Sequence, residues 1–76
     1  MADYTLDARY MLCPLPVLRA GKMLGKMKSG DRLMIQGTDP DGLKEFELFC
    51  QDQTDIKIIR HETTKTGWHV CLQISA

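Results

Sequence analysis

Apolar residues recur along the chain with two different periods, and the changes between them mark six elements. Residues 4–8 alternate weakly, with Tyr4 and Leu6 on one face, which predicts a short first strand. Residues 14–28 switch to helical spacing. Val17, Gly21, Leu24 and Met27 share one stripe, with Arg19, Lys22 and Lys26 on the opposite one. Pro14 suits the first helical position, where its missing N–H costs nothing, and Ser29-Gly30-Asp31 stops the helix. Residues 32–37 alternate again, Leu33 and Ile35 inward, Met34 and Gln36 outward. Asp39-Pro40-Asp41 predicts a helix entry, capped by Asp39 and led by Pro40, that runs to about Gln51 and buries Leu43, Phe46, Phe49 and Cys50. Residues 56–62 and 68–75 then form two strands joined by a five-residue turn.

A register for that hairpin follows from its apolar face. Val70, Leu72 and Ile74 on the core side pair with Arg60, Ile58 and Ile56, and the stem of Arg60 lies over the rim of the core. The other face then sets His61 opposite His69 and Ile59 opposite Cys71. The fold class is an α+β two-layer sandwich of order β-α-β-α-β-β. Right-handed crossovers place both helices on one face of a four-stranded mixed sheet and leave the other face open.

Composition narrows the classes. The 76 residues form a single domain, 1–76, with 43% hydrophobic and 26% charged residues, as in ordinary globular chains. A chain this short buries only roughly 60% of its unfolded surface, so chemistry belongs on the surface rather than in a deep cavity. The start lacks a basic-then-apolar leader pattern, and no apolar run reaches the ~20 residues that cross a bilayer, so no membrane association is expected. Three cysteines, far apart at 13, 50 and 71, argue against a disulfide framework and for a reducing, cytoplasmic setting. Net charge is zero but unevenly spread. Residues 9–32 hold Arg9, Arg19, Lys22, Lys26, Lys28 and Arg32 against Asp31, and residues 38–55 hold six acids against Lys44. This pattern describes either two solvated helix faces or a positive field around the first helix that attracts phosphate or an acidic protein.

The candidate chemistry lies in Cys13-Pro14-Leu15-Pro16, at the start of the first expected helix. The first N–H groups of a helix lack internal partners, and the helix dipole adds roughly half a positive charge there. A thiol held at that place is acidified, because these groups stabilise the thiolate and not the thiol. Pro14 and Pro16 remove two donors, leave Leu15 and Val17 to present theirs, and fix φ in the first turn. Leu15, preceding a proline, resists the helical region. Arg9 and Arg19 either add positive charge near the sulfur or face water. The bland alternative is a small apolar residue under the helix start; the paired prolines and basic helix favour a working thiol. Such a thiolate suits a persulfide, and it needs no neighbouring base. A Cys-x-x-Cys spacing, which a disulfide oxidoreductase would use, is absent around Cys13.

At these residues the chain resembles the TusA/SirA family of small sulfur-carrier proteins. The matching run is Leu6-Asp7-Ala8, Cys13-Pro14-Leu15-Pro16-Val17, a basic helix, Gly30-Asp31, Asp39-Pro40 and Phe49-Cys50, which covers nearly the whole chain. The resemblance implies a sulfurtransferase of two-layer fold that carries sulfur as a covalent persulfide on Cys13 and has no other cofactor. Pro14, Leu15 and Pro16 would form the active loop and helix start. Sulfur would come from a cysteine desulfurase or another donor protein and pass to a downstream acceptor protein. In well-known members it ends in 2-thiouridine of transfer RNA; others serve molybdenum cofactor assembly or sulfur oxidation. Candidate docking residues are Arg9, Arg19, Lys22 and Lys26. The chain departs from the family at Tyr10, where members usually carry glycine, at Leu15, where an acid or small apolar residue is common, and at Gly21, where a basic residue is common.

Other readings remain open from the residues alone. One is a non-enzymatic RNA-binding or regulatory module using the basic first helix, though zero net charge and the lack of a strand aromatic cluster make a poor footprint; DNA binding is not expected. Another is a thiol redox protein. No metal site is expected, since His61, His69 and Cys71 lack a fourth ligand. Cys50 and Cys71 read as buried or half-buried thiols. Asp7 orients the loop before Cys13 or merely ends a strand. Met34, Ile59 and Cys71 make an apolar spot on the open sheet face, and Trp68 packs over the core edge.

Overall fold

Strong alternation in two segments and two amphipathic helices, each with a proline in its first turn, produce the expected order of elements. A computed structural model describes residues 2–12 and 14–75. It contains β1 (Asp3–Ala8), α1 (Leu15–Leu24), β2 (Arg32–Gly37), α2 (Pro40–Gln51), β3 (Ile56–Thr64) and β4 (Gly67–Ile74). The sheet order is β1-β2-β4-β3, with β1 parallel to β2 and the other pairs antiparallel. Both helices cover one face, giving the α+β two-layer sandwich.

The core lies between that face and the helices. Leu33 and Ile35 of β2, Trp68, Val70, Leu72 and Ile74 of β4, and Ala8 of β1 are buried against Ala20, Leu24 and Phe46. Met34 on the opposite face is exposed, as the two-residue period requires. Burying each large apolar side chain contributes about 1.5–3 kcal/mol, which makes β4 the main apolar wall. The helix α2 begins as expected, with Pro40 leading and the Asp39 carboxylate accepting the Asp41 N–H at 3.0 Å. Phe46 is its buried anchor; Leu43, Phe49 and Cys50 are half-buried beside it.

Helix α1 differs from expectation in two respects. Its buried line runs through Pro16, Ala20 and Leu24, while Val17, Gly21 and Met27 lie at the margin. Ala20 presents little bulk, so the helix approaches the sheet along that line. The helix also ends at Leu24 rather than near Lys28. Gly25 closes it, and the Lys28 N–H turns instead to the Asp31 carboxylate at 2.8 Å.

Asp31 is the buried charged side chain among the described residues, and it accepts from the Ala2 N–H at 2.9 Å as well. It therefore ties the start of β1 and the turn after α1 to β2. The Lys28 and Ala2 N–H groups favour the ionised carboxyl and hold its pKa below the ordinary 3.8, against the effect of burial. A carboxyl whose pKa is lowered by folding stabilises the fold above its unfolded pKa, and that stabilisation is lost as pH falls through the folded value. The urea midpoint should therefore fall on acidification below about pH 4. It should fall less steeply in Asp31→Asn, which starts lower; equal pH profiles would contradict this role.

The hairpin register departs from expectation. Ile56, Ile58 and Ile74, Leu72 pair as foreseen, but a bulge between Ile58 and Arg60 shifts every later pair by one. Arg60 pairs with Cys71, His61 with Val70 and Glu62 with His69. Arg60 thus lies on the open face instead of over the core rim, and His61 lies on the opposite face from His69 and Cys71. An inserted residue flips the side of everything beyond it, which is what a bulge does to a two-residue period. The strands also run further than expected. Thr64 pairs with Gly67, leaving a two-residue turn in place of the five-residue one.

Candidate functional site

The loop from β1 to α1 is short and tightly held. Ala8 accepts the Met11 N–H at 3.2 Å, closing a turn across Arg9 and Tyr10. Tyr10 takes a φ of 67°, left-handed backbone that costs a non-glycine residue about 1–2 kcal/mol. Its N–H donates to Thr38 Oγ1 at 2.9 Å, which anchors the loop to the end of β2. Asp7 also fixes the loop. Its carboxylate takes the Arg9 guanidinium in two bonds of 2.9 Å and the Arg9 backbone N–H at 3.1 Å. The Asp7 pKa is accordingly held down at about 2, chiefly by the Arg9 side chain. Asp7, one residue before the end of β1, thus orients the loop, and the charge of Arg9 is compensated in place.

Cys13 lies outside the described residues; the chain places it between Leu12 and Pro14. The residues on either side define what surrounds it in sequence. Pro14 occupies the helix cap position with φ −101° and ψ 18°, and Pro16 falls within the first turn. The start of α1 has no side-chain cap, and its first turn holds no acidic residue. One expectation is overturned here. The Leu15 N–H is not presented outward, because it donates to the Leu12 carbonyl at 2.9 Å. A turn just ahead of the helix consumes it, and Leu18 N–H follows by bonding to the Pro14 carbonyl at 3.1 Å.

Of the candidate docking residues, Arg19 and Lys22 are exposed on α1 and Lys26 in the turn after it. Ion pairs among the described residues join Arg9 to Asp7 and Arg32 to Asp3, so the α1 cations take part in neither.

Among the described residues, two concavities bear on the site. The larger, about 280 Å³, lies on the open sheet face, lined by residues that include Thr5, Met34, Arg60, His69 and Cys71. None of the described residues of the 9–18 segment lines it. The smaller, about 130 Å³, lies between Arg9, Tyr10, Thr38 and the hairpin residues Thr64 and Thr66. Met34 and Cys71 are direct cross-strand neighbours on the open face. Among the described residues no three His, Cys, Asp or Glu side chains gather to hold a metal ion. Cys50 and Cys71 are half-buried free thiols, as expected, and burial pushes the pKa of each up. Trp68 is wholly inside the core, and its indole N–H donates to the Asp39 carbonyl at 2.6 Å. Among the described residues, no helix is long and apolar enough to cross a membrane.

Sequence reasoning missed the Tyr10–Thr38 contact, which joins residues 28 apart and leaves no local signal. It also gave no role to Leu12 and Leu18, which are exposed on either side of the α1 start.

Comparison with known proteins fits this arrangement. A family model described as sulfurtransferase TusA matches residues 4–74. The chain is 38% identical over 77 aligned residues to the sulfur carrier protein TusA of Allochromatium vinosum, covering 99% of this chain and 100% of that one. Two candidate sulfur carrier proteins of Neisseria meningitidis, from serogroups A and B, are each 45% identical over 51 residues, 67% of this chain and 69% of theirs. With the match spanning nearly every described element, the chain belongs to the TusA family of sulfur carrier proteins.

Proposed function

We propose that the chain relays sulfane sulfur as a persulfide on Cys13, between a donor and an acceptor protein. The Cys13 thiolate attacks the outer sulfur of a donor persulfide. A new S–S bond forms to Cys13, and the donor's own sulfur leaves as thiolate with the electron pair of the broken bond. The outer sulfur keeps its proton. An acceptor thiolate then attacks that sulfur, and Cys13 leaves as thiolate in turn. Electrons and charge balance in both steps, so the relay needs no bound redox group.

The observation that carries this reading is the start of α1. It follows Cys13 by two residues, with no side-chain cap and no acid in its first turn to compete for its positive end. Such an end favours a thiolate, which is the nucleophile. The reducing cytoplasm is the setting in which that thiol persists. Pathways that consume sulfane sulfur, wobble-uridine thiolation among them, are the destinations of the relay. Contact with RNA through Arg19, Lys22 and Lys26 is a weaker reading, because the same cations suit an acidic protein surface and a relay requires protein contact.

Incubation with a cysteine desulfurase and cysteine should add the mass of one sulfur atom, on the peptide that contains Cys13 and removable by reductant. Sulfenic acid or a mixed disulfide there, without persulfide, would replace this reading with thiol redox chemistry.

A further inference from the structure

The open sheet face gathers three side chains that bind soft metal ions. Met34 of β2 is the direct cross-strand neighbour of Cys71 on β4, and His69 lies two residues before Cys71, on the same face. All three line the concavity of about 280 Å³. Directly opposed Cβ atoms in an antiparallel pair are about 4.5–5.5 Å apart, and residues two apart on one strand about 6–7 Å. Side chains of this length span both gaps with a single ion between them, at metal–ligand bonds of about 2.0–2.3 Å. The donors are not otherwise engaged. Among the described residues, the side chains of His69 and Cys71 make no hydrogen bond or ion pair.

We infer that Met34, His69 and Cys71 form a binding site for a soft monovalent metal ion, copper(I). Thiolate and thioether sulfur select copper(I) over harder ions, and imidazole suits it as well. Its closed d shell imposes no geometry, so three donors suffice. A structural zinc wants four, and the bulge in β3 sends His61 to the other face. Charge points the same way. Arg60 stands opposite Cys71 and takes part in neither ion pair among the described residues, so the site already borders a positive charge. One thiolate neutralises a monovalent ion, whereas a divalent ion would keep excess charge beside that guanidinium.

Binding breaks the Cys71 S–H bond. Its electron pair forms the S–Cu bond, the proton goes to water, and no oxidation state changes. Glu62 is the cross-strand neighbour of His69 and lines the same concavity, which places its carboxylate to accept the ring N–H that the metal does not use. The inference is independent of the relay reading, since none of the described residues of the 9–18 segment lines this concavity.

The test is an anaerobic titration of the Cys13→Ser chain with copper(I), in competition with bicinchoninate, a coloured copper(I) chelator. Substituting Cys13 keeps that thiol out of the measurement. One copper(I) per monomer should leave the chelator, and X-ray absorption should show two sulfur neighbours and one nitrogen. On this background Cys71→Ser should weaken binding at least a hundredfold, and Met34→Leu and His69→Gln at least tenfold each. Met34 and His69 are exposed, so those two variants should keep the urea midpoint of the background even where Cys71→Ser loses stability. An equal concentration of zinc(II) should not displace the copper. Affinity lost in Cys71→Ser alone, with the other two variants binding as the background does, would mean an adventitious thiol only and overturns the inference. A loss in Cys50→Ser equal to that in Cys71→Ser overturns it too, as does one copper shared between two chains or displacement by zinc(II).

Discussion

Cys13→Ser is expected to abolish sulfur loading, whereas Cys50→Ser and Cys71→Ser are expected to load as the parent chain does. The nucleophile in persulfide exchange is a thiolate, and a serine hydroxyl does not ionise near neutral pH, so the exchange has no substitute at that position. The other two thiols are poor replacements. Cys50 is half-buried on α2, and burial alone pushes its pKa above the ordinary 9.0. Cys71 is half-buried on the open sheet face, where burial raises its pKa more than Arg32 and Arg60 lower it. A thiol above pKa 9 is ionised to about one part in a hundred or less at pH 7. Loading by a protein donor should therefore fall at least a hundredfold in Cys13→Ser, read by intact mass after a fixed time. Parent-like loading of Cys13→Ser, or loss of loading in Cys71→Ser, would move the site to the open sheet face.

The second large effect is on folding. Trp68→Ala should cost about 3–5 kcal/mol, the range for removing a buried aromatic side chain. A domain of this length holds only about 4–11 kcal/mol in total, so the variant should be largely unfolded at 37 °C. Trp68 is 2% exposed and does three things at once. Its ring meets Phe46 edge-on, with centroids 5.7 Å apart at 64°. Its N–H satisfies the Asp39 carbonyl just ahead of α2. Its six-membered ring also fills the space above Gly37 and Gly42, so closely that a Cβ on either glycine would overlap it. The pairing is reciprocal: Gly37→Ala should itself cost about 2–3 kcal/mol by overpacking. Combining Gly37→Ala with Trp68→Phe should cost less than the sum of the two singles, since the shorter ring vacates that space. Additive losses in urea denaturation would mean that the ring and Gly37 do not compete for it.

That knot of Trp68, Gly37, Gly42 and Asp39 also sets the geometry near the candidate site. Gly37 ends β2, Thr38 follows it, and Thr38 holds Tyr10 in the loop that leads to Cys13. Core packing at the end of the sheet is thereby connected, through one hydrogen bond, to the loop ahead of Cys13.

How much was legible in the sequence depends on whether the deciding interaction is local. The two alternating runs that became β2 and β4 and the Asp39-Pro40 entry to α2 are each set by neighbours within a few residues, and they formed as read; the helix behind Pro14 also formed, but with Pro14 as its cap, an earlier end and a different buried line. The Cys13-Pro14-Leu15-Pro16 run likewise carried its chemical argument and its family resemblance without coordinates. What the sequence could not determine turned on partners far along the chain. The bulge at residues 58–60, which moved Arg60 to the open face and His61 away from Cys71, arises in cross-strand pairing with β4. After α1 closes at Gly25, the Lys28 N–H goes to the Asp31 carboxylate, which also takes the distant Ala2 N–H. Most of all, the linear pattern put Val17, Gly21, Leu24 and Met27 on one stripe of α1 and assigned Leu12 and Leu18 to neither side, because burial is a property of the layer packed against a side chain. Only the tertiary structure shows that the sheet takes Pro16, Ala20 and Leu24, and that Leu12, Leu15 and Leu18 face outward beside the chain position of Cys13.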